Sequence, residues 1–481
     1  MHSPSIKRRL CVAAIAASLC SVAPLMAQQS EDAEQSAEQR KNVILIIGDG
    51  MDDQQITIAR NYLKGARGKL LMDQLPLRSV SQILTQDDEA PSKPVYVADS
   101  ANSATSMATG ISTSRGRIAT SAGENRDLVT IAELAKQAGY ATGIVTTASV
   151  TDATPASFIA HTASRGCENP NVMKPFEDSP RWLDPTACEA DRVTNGGPGS
   201  ISRQIALGNH DVILGGGQKH FSPIAEESKK SVSELAQNNG YRIVTDQQGL
   251  LDVQSSALVE DKILGLFSPS TMPTQWQGED GRSAEKPEPS LLNMIDWRLG
   301  SVELPSTMIC EDNPSFDGIP RLKQMTDIAI EQLWKRSQQG FFLMIESASI
   351  DKQSHKRNPC GSIGEVEQLE EALASALKFA EQEPNTLILV TADHGQAAQL
   401  IPAPSMFKSI GVPVYTPGHV ARIITPENQV LSVNYATNDF PSEEHTGTNV
   451  PLFSNDVGLG KVPPMVTQPE IFELMKNHLF D

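Results

Sequence analysis

The sequence predicts an α/β fold, a three-layer α/β/α sandwich with a large, mostly parallel central sheet. Asn42 to Ile47 is a continuous apolar run, which is typical of a strand buried on both faces. Similar runs alternate with helical patterns along the chain, and this alternation favours parallel strands covered by helices on both sides. No break in composition divides residues 41–481, so we predict a single large domain.

The N-terminal residues are predicted to direct export. A basic end at residues 7–9 precedes a mostly apolar stretch that is too short to span a membrane, and Leu25-Met-Ala27 is an acceptable cleavage site. Residues 1–27 are therefore predicted to be a signal peptide, and the polar residues 28–40 a flexible leader. We expect a periplasmic or secreted protein with no membrane segment after cleavage.

Charge restricts the partners of the chain. The formal net charge is -18 at pH 7, and loss of the three positive charges of the signal peptide would bring it to -21. Such an acidic surface repels nucleic acid and anionic lipid. A phosphate-binding site on this protein must therefore be a local positive island, most simply built from metal ions.

Four cysteines remain after the predicted cleavage, and an even number in an exported protein suggests two disulfides. They are Cys167, Cys188, Cys310 and Cys360. Three pairings are possible, and pairing of sequence neighbours would join the first two and the last two. The alternative is four buried free thiols.

Three helix–strand units account for much of the predicted sheet. Thr130 and Glu133 have capping-box spacing, which predicts a helix before a strand that starts at Ala141. A helix over 321–337 leads to a strand at 341–345. A third helix, starting near Ser362, leads to a strand at 386–390. Residues 271–320 are predicted to be a long surface loop, and 411–439 a surface elaboration over the site.

Polar or ionisable groups follow five candidate strands, at the edge where open α/β sheets bind ligands. One of the five is the run Val95 to Val97, and the row of small residues after it indicates the start of a helix. The groups are Asp49, Asp99 with Ser100, Asp152 with Thr154, Glu346, and Asp393 with His394. A serine at a helix N-terminus can cap the helix or attack a phosphoryl group, because free N–H groups there favour an anion. The other strand ends favour attack.

Further residues are candidate ligands for a metal ion or for phosphate. Asp351 and His355 are four residues apart, which places both on one helical face. His445 lies in a turn, and Arg165 offers a bidentate fork for phosphate oxygens. Taken singly, each has a plain alternative: a surface ion pair, a loop histidine, a surface arginine. The same holds for Asp49 as a turn residue and for Asp393-His394 as a helix cap beside a core histidine.

Together these side chains indicate phosphoryl transfer. Imidazole with carboxylate suits Zn²⁺, whereas all-oxygen ligation suits Mg²⁺. Two zinc-type ions about 4 Å apart can stabilise the attacking and the leaving oxygen of an in-line displacement.

From about Asn42 to the C-terminus, the chain resembles the alkaline phosphatases, most closely their bacterial periplasmic branch. The motifs that carry the resemblance are Gly-Asp49-Gly-Met, Asp99-Ser100-Ala-x-Ser-Ala-Thr, Asp152-Ala-Thr154-Pro, Glu346-x-x-x-x-Asp351-Lys352-x-x-His355, Thr-Ala-Asp393-His394 and His445-Thr-Gly.

The resemblance implies an enzyme that hydrolyses small phosphate monoesters through a phosphoseryl intermediate on Ser100. It implies one zinc on Asp351, His355 and His445, a second zinc on Asp49, Asp393 and His394, and one magnesium on Asp49, Thr154 and Glu346. Arg165, Lys352 and Asp152 would serve substrate binding. The resemblance also implies a homodimer and the disulfides Cys167–Cys188 and Cys310–Cys360.

The chain departs from the family pattern near the predicted metals. Asp52 stands where glycine is usual, Ser347 where glycine is common, and Gly395-Gln396 where an Ala-His pair is common. These departures bear on rate, metal affinity and pH optimum rather than on reaction type. The rival functions are those of a phosphodiesterase, a sulfatase and a non-catalytic phosphate- or zinc-binding protein. The sulfatase alternative is weak, because this sequence lacks the nucleophile motif of sulfatases.

Overall fold

The computed structural model describes residues 40–173, 186–255 and 261–481. The predicted signal peptide and residues 28–39 of the leader lie outside the described residues. The α-helices of the described ranges are α1 Asp53–Lys64, α2 Ser100–Thr109, α3 Ile131–Gln137, α4 Ala153–Ile159, α5 Ile201–Leu207, α6 Val232–Asn238, α7 Gln247–Ser255, α8 Leu291–Ile295, α9 Leu322–Arg336, α10 Ser349–His355, α11 Pro359–Gln382 and α12 Gln468–Phe480.

The described strands run from the N-terminal end of the sheet region to the last helix. They are β1 Lys41–Gly48, β2 Leu77–Gln82, β3 Thr85–Gln86, β4 Pro94–Val95, β5 Ala141–Ser149, β6 Val212–Gly216, β7 Tyr241–Val244, β8 Lys262–Leu266, β9 Trp276–Gly278, β10 Glu288–Pro289, β11 Val302–Glu303, β12 Thr307–Met308, β13 Cys310–Asp312, β14 Gly340–Ser347, β15 Thr386–Ala392, β16 Gln399–Ile401, β17 His419–Ile424, β18 Val430–Tyr435, β19 Val450–Ser454 and β20 Met465–Thr467.

Ten of these strands form the central sheet, in the order β20-β2-β19-β15-β1-β14-β5-β6-β8-β7. β19 runs against both of its neighbours, and the other pairings are parallel. The predicted mostly parallel sheet is confirmed. Its carboxyl-end edge gathers the ends of β15, β1, β14 and β5, which are successive neighbours in the sheet.

Helices cover both faces of this sheet, as predicted. Alternate residues of β1 enter two separate cores: Ile44 and Ile46 pack on the side of α1, α9 and α11, whereas Val43, Leu45 and Ile47 pack on the side of α2, α4 and α12. Every residue of β1 after Lys41 is buried. This two-sided burial explains why the strand is a continuous apolar run.

Two elements differ from the sequence prediction. The run Val95 to Val97 is not a strand of the central sheet: β4 is a two-residue ribbon paired with β3, and Tyr96 is 82% exposed. The third predicted helix starts at Pro359 rather than near Ser362, because Asn358 caps it and proline fits the first helical turn. The Thr130–Glu133 capping box of α3 is confirmed.

The regions predicted as surface loop and elaboration contain secondary structure. Residues 271–320 hold β9 to β13 and α8, and 411–439 hold β17 and β18. β12, β17, β18 and β16 form a small four-stranded sheet, and Tyr435 in it is fully buried. Both predicted disulfides are present, Cys167–Cys188 and Cys310–Cys360. No helix in the described ranges is both long and apolar enough to cross a membrane.

Candidate active site

Ser100 is the first residue of α2, and its hydroxyl does not cap the helix. Asp99 is the N-cap instead: its carboxylate accepts the amide of Asn102, whose side chain accepts the Asp99 amide in return. The Ser100 Oγ lies 3.1 Å from His394 Nε2 and 3.5 Å from Asp49 Oδ1. The serine therefore faces two predicted ligands rather than its own helix, and the alternative that Ser100 serves as a cap is wrong.

Neighbouring strands bring the acids together. In the parallel register Gly48 pairs with Ala392, so Asp49 and Asp393 leave the sheet at the same level. Ile47 pairs with Glu346, so Glu346 lies two residues lower on the neighbouring strand. Asp99 and Ser100 arrive at this edge from the β4 loop and not from a central strand. All three carboxylates of the central strands are buried.

One ligand group consists of Asp49, Asp393 and His394, whose ligand atoms all lie within 4.8 Å of one another. His394 Nε2 is 3.5 Å from Asp49 Oδ1 and 3.3 Å from Asp393 Oδ2. The amides of Gly50 and His394 both donate to Asp393 Oδ1, at 2.9 Å. That leaves Asp393 Oδ2 buried without a hydrogen bond from the described residues.

A second group surrounds Asp351. His355 Nε2 is 3.2 Å from Asp351 Oδ2, His445 Nε2 is 3.4 Å from Asp351 Oδ1, and the two Nε2 atoms are 3.1 Å apart. Asp351, His445 and His394 also satisfy the same 4.8 Å criterion, so the two groups adjoin. α10 supplies Asp351 and His355 on one face, as their spacing predicts.

The three histidines share one orientation. Each directs Nδ1 at a backbone carbonyl: His355 at Glu443, His394 at Gly395 and His445 at Ala98. A carbonyl only accepts, so each Nδ1 carries the proton and each Nε2 presents a lone pair to the carboxylates. Two such nitrogens 3.1 Å apart, beside Asp351, form a site that a shared cation would fit. The donor set fits zinc.

A third candidate group has oxygen donors. Thr154 lies in the first turn of α4, and its Oγ1 is buried with no hydrogen-bond partner in the described chain. Glu346 is 1% exposed and accepts a hydrogen bond from the Thr146 hydroxyl. A buried hydroxyl oxygen without a partner and a buried carboxylate are oxygen donors of the kind that magnesium prefers.

Cationic side chains form the opposite wall. Arg165 Nη1 lies 3.2 Å from Asp99 Oδ2, and Arg165 Nη2 lies 3.0 Å from Asp152 Oδ1. Lys352 Nζ lies 2.6 Å from Asp152 Oδ2. Asp99 also accepts the Gly116 amide at 3.1 Å. The two aspartates therefore hold the guanidinium from both sides and fix the direction of its fork.

Burial sets the electrostatics of both walls. Burial, then Asp393 and Asp351, raises the pKa of Asp49 well above its usual range. Burial opposes ionisation of Asp152 too, but Lys352 and Arg165 outweigh it and hold the pKa of Asp152 below its usual range. Lys352 also lowers the pKa of Asp49, but by less than burial and the neighbouring acids raise it.

The departures from the family pattern contact this site. Asp52 caps α1, accepting the amides of Gln54 and Gln55 at 2.9 and 3.1 Å, and also accepts the Gln396 amide at 3.2 Å. Burial raises the pKa of Asp52 to about 6. The Gln396 side chain donates to Asp351 Oδ1 at 2.6 Å.

Sequence patterns do not predict two residues that hydrogen-bond to groups in or near the site, Gln396 and Glu365. Gln396 departs from the family pattern, and its direct contact with Asp351 has no sequence signal beyond its position two residues after His394. Ser347 donates to the buried carboxylate of Glu365, which also accepts from Thr147. Glu365 had no sequence signal beyond its place in an apolar helix face.

Comparisons with known proteins agree with this geometry. The alkaline phosphatase family matches residues 40–435. The alkaline phosphatase of Escherichia coli strain K12 is 39% identical over 444 residues, covering 91% of this chain and 86% of the relative. The streptomycin-6-phosphate phosphatase of Streptomyces griseus is 37% identical, covering 86% of this chain and 84% of the relative. The solved alkaline phosphatase of the Antarctic bacterium TAB5 shares the fold, with a TM-score of 0.61, 23% identity, and coverage of 92% and 98%.

Proposed function

The chain belongs to the alkaline phosphatase family and hydrolyses phosphate monoesters, and within that activity we propose that Ser100 is the nucleophile of a site for two Zn²⁺ and one Mg²⁺. The observation that carries the proposal is the set of inward-facing Nε2 lone pairs on His355, His394 and His445, beside buried carboxylates and the Ser100 hydroxyl.

The residues divide among three ions in this proposal. One zinc would take Asp351, His355 and His445. A second zinc would take Asp49, Asp393 and His394, and a magnesium would take Asp49, Thr154 and Glu346. Bound ions would supply positive charge at the attacking and leaving oxygens. They would also neutralise the carboxylates whose pKa burial raises.

The protein's own groups carry the reaction in two displacements. Ser100 Oγ attacks phosphorus, the bond from phosphorus to the ester oxygen breaks, and the alcohol leaves. Water then attacks the phosphoserine, and its P–Oγ bond breaks to release inorganic phosphate and free Ser100. Arg165 would hold two phosphate oxygens through its fork, which Asp99 and Asp152 orient. Lys352, held on Asp152, adds positive charge to the same wall.

The family also informs the proposals about the whole protein. We infer that residues 1–27 are removed on export, that residues 41–481 act as one domain, and that the mature protein works in the periplasm as a homodimer. Small phosphomonoesters are the proposed substrates. The acidic net charge argues against nucleic acid as a partner.

Chelation tests the proposal directly. Purified protein should hydrolyse a phosphate monoester, lose that activity after dialysis against a chelator, and regain it with Zn²⁺ and Mg²⁺. Metal analysis should find about two zinc ions and one magnesium ion per chain. Undiminished turnover in chelated protein, or faster turnover of a matched diester than of the monoester, would contradict it.

A further inference from the structure

A cavity of about 770 Å³ opens beside the candidate active site. Lys352 and His355 of α10 form part of its wall, and Ser442, whose Oγ is 3.3 Å from His355 Nδ1, forms another part. On the proposed function, the zinc on Asp351, His355 and His445 would receive the leaving oxygen. The cavity therefore lies on the side of the site where the alcohol leaves. It is large enough for an alcohol of sugar size.

The far wall of this cavity is well fixed. Asn313 follows β13, donates to the Thr274 carbonyl at 2.8 Å and accepts the Ser315 amide at 3.0 Å. Cys310 of β13 is bonded to Cys360 of α11, just beyond α10. The disulfide thus ties this wall covalently to α11, the helix that directly follows α10 in the chain.

The chemistry of the lining is uncharged polar and cationic. Hydroxyl and amide side chains dominate it, and no carboxylate lines it among the described residues. Lys356 lies in the lining, is exposed, and makes no ion pair within the described chain. Lys219 donates to the Ser270 hydroxyl of the lining at 3.1 Å. On a protein with a net charge of -18, a lining without carboxylates that holds the unpaired Lys356, with Lys219 beside it, is a local positive region.

We propose that this cavity binds the alcohol part of the substrate and selects phosphate monoesters whose alcohol carries hydroxyl groups and a second anionic group. Lys356 would pair with that anion, with Lys219 adding to the positive potential. Serine, threonine and amide groups would accept and donate hydrogen bonds to the hydroxyls. The inference rests on the proposed function, because it assigns the substrate class of the same site.

Two substrates that differ in one group test the proposal. 6-Phosphogluconate carries a carboxylate where glucitol 6-phosphate carries a hydroxymethyl group, and both are linear phosphorylated polyols. We expect a higher kcat/KM for 6-phosphogluconate at low ionic strength. Lys356→Gln should lower the ratio of the two kcat/KM values roughly two- to fivefold, the range of a partly exposed ion pair. Added salt should lower the ratio in the wild type more than in Lys356→Gln.

Controls separate this inference from the proposed function. Lys229→Gln removes an exposed lysine outside the cavity lining and should leave the ratio unchanged, and Lys356→Arg should retain it. The inhibition constant of inorganic phosphate should be the same in the wild type and Lys356→Gln, since phosphate fills the other part of the site. An equal ratio in the wild type and Lys356→Gln would overturn the inference, as would an equal fall in Lys229→Gln. Failure of metal-loaded wild type to hydrolyse either ester would overturn the proposed function itself.

Discussion

Buried histidines with different surroundings lie at the two ends of β15, His394 just after the strand and His478 of α12 beside its start. Beyond its carboxyl end, His394 faces Asp49, Asp393 and Ser100. At its amino end, His478 lies 3.2 Å from the carbonyl of Asn385, the residue before the strand. Burial lowers the pKa of both rings.

The two edges of the sheet differ in whether their buried charged and polar groups have partners. At the amino edge of the sheet, charged groups are paired: Asp211 accepts from Lys136 at 2.6 Å and from the Thr142 amide at 2.9 Å. At the carboxyl edge, buried carboxylates outnumber nearby cations, and Thr154 and Asp393 each keep a buried oxygen without a hydrogen bond in the described chain. One edge therefore has partners for its charged groups within the protein, whereas the other offers donor groups that bound cations would fit.

Replacing the nucleophile gives the largest expected effect at the carboxyl edge. Ser100→Ala should lower kcat for a phosphate monoester at least roughly a thousandfold, because it removes the hydroxyl that would form the phosphoseryl intermediate. Steady-state kinetics on metal-loaded protein measures this. Ser103→Ala is the matched control on the same helix: its Oγ is buried without a partner, and its loss should leave kcat within about twofold. Equal rates for wild type and Ser100→Ala would remove the serine from the mechanism.

In metal-free protein, the buried carboxylates at the carboxyl edge of the sheet should make the free energy of unfolding depend on pH. Burial raises the pKa of Glu346 to about 8, above its ordinary value of 4.5. A carboxyl group with a raised folded pKa favours folding when protonated, so stability of metal-free protein should fall as pH rises from about 4.5 to about 8. The loss is at most about 5 kcal/mol. Urea unfolding across this range measures it.

The Glu346→Gln variant provides the control for this prediction. Glutamine can still accept the hydrogen bond from Thr146 but cannot ionise. The variant should be more stable than the wild type above pH 8 in metal-free protein, and the two should converge near pH 4.5. Parallel curves for the two proteins would show that Glu346 is not the group that titrates.

The amino edge should show the opposite pH dependence. Burial lowers the pKa of His210, which contacts the Thr142 hydroxyl at 3.0 Å, to about 4 from an ordinary 6.5. A histidine with a lowered folded pKa is protonated first in the unfolded chain, so stability should fall as pH drops from about 6.5 to 4. The loss is at most about 3 kcal/mol for this residue.

The difference between wild type and His210→Gln isolates this effect, since other acid-sensitive groups are common to both. Unfolding free energies of the two metal-free proteins should differ more at pH 7 than at pH 4.5. A difference that does not change with pH would assign His210 a packing role only.

The smallest expected effect separates the two roles of Asp99. Asp99→Asn keeps an acceptor for the Asn102 amide but removes the charge beside Arg165, so the inhibition constant of phosphate should rise roughly three- to tenfold. Asp99→Ala should do the same and also lower stability by about 1 kcal/mol through the lost helix cap. Inhibition kinetics and thermal unfolding measure the two effects. Loss of bound zinc in Asp99→Asn would contradict an orienting role.

Local patterns in the sequence were sufficient to predict many of the helices and strands around the site. The apolar run of β1, the capping box of α3 and the helical face of α10 depend on neighbours within a few residues, and all three formed as predicted. The Val95–Val97 prediction was wrong because β-branched residues alone do not decide whether a run enters a sheet. Here Tyr96 faces outward and the ribbon pairs with β3.

The sequence by itself determined the chemical inventory of this protein: the alternating strands and helices, the acids and histidines that follow strand ends, and the family pattern they form. Tertiary structure alone decided which atoms meet. The carbonyls of Ala98, Glu443 and Gly395 fix the histidine tautomers, and Gln396 reaches Asp351. These contacts join distant segments through the order of strands in the sheet, and strand order is not encoded in any local period of the chain.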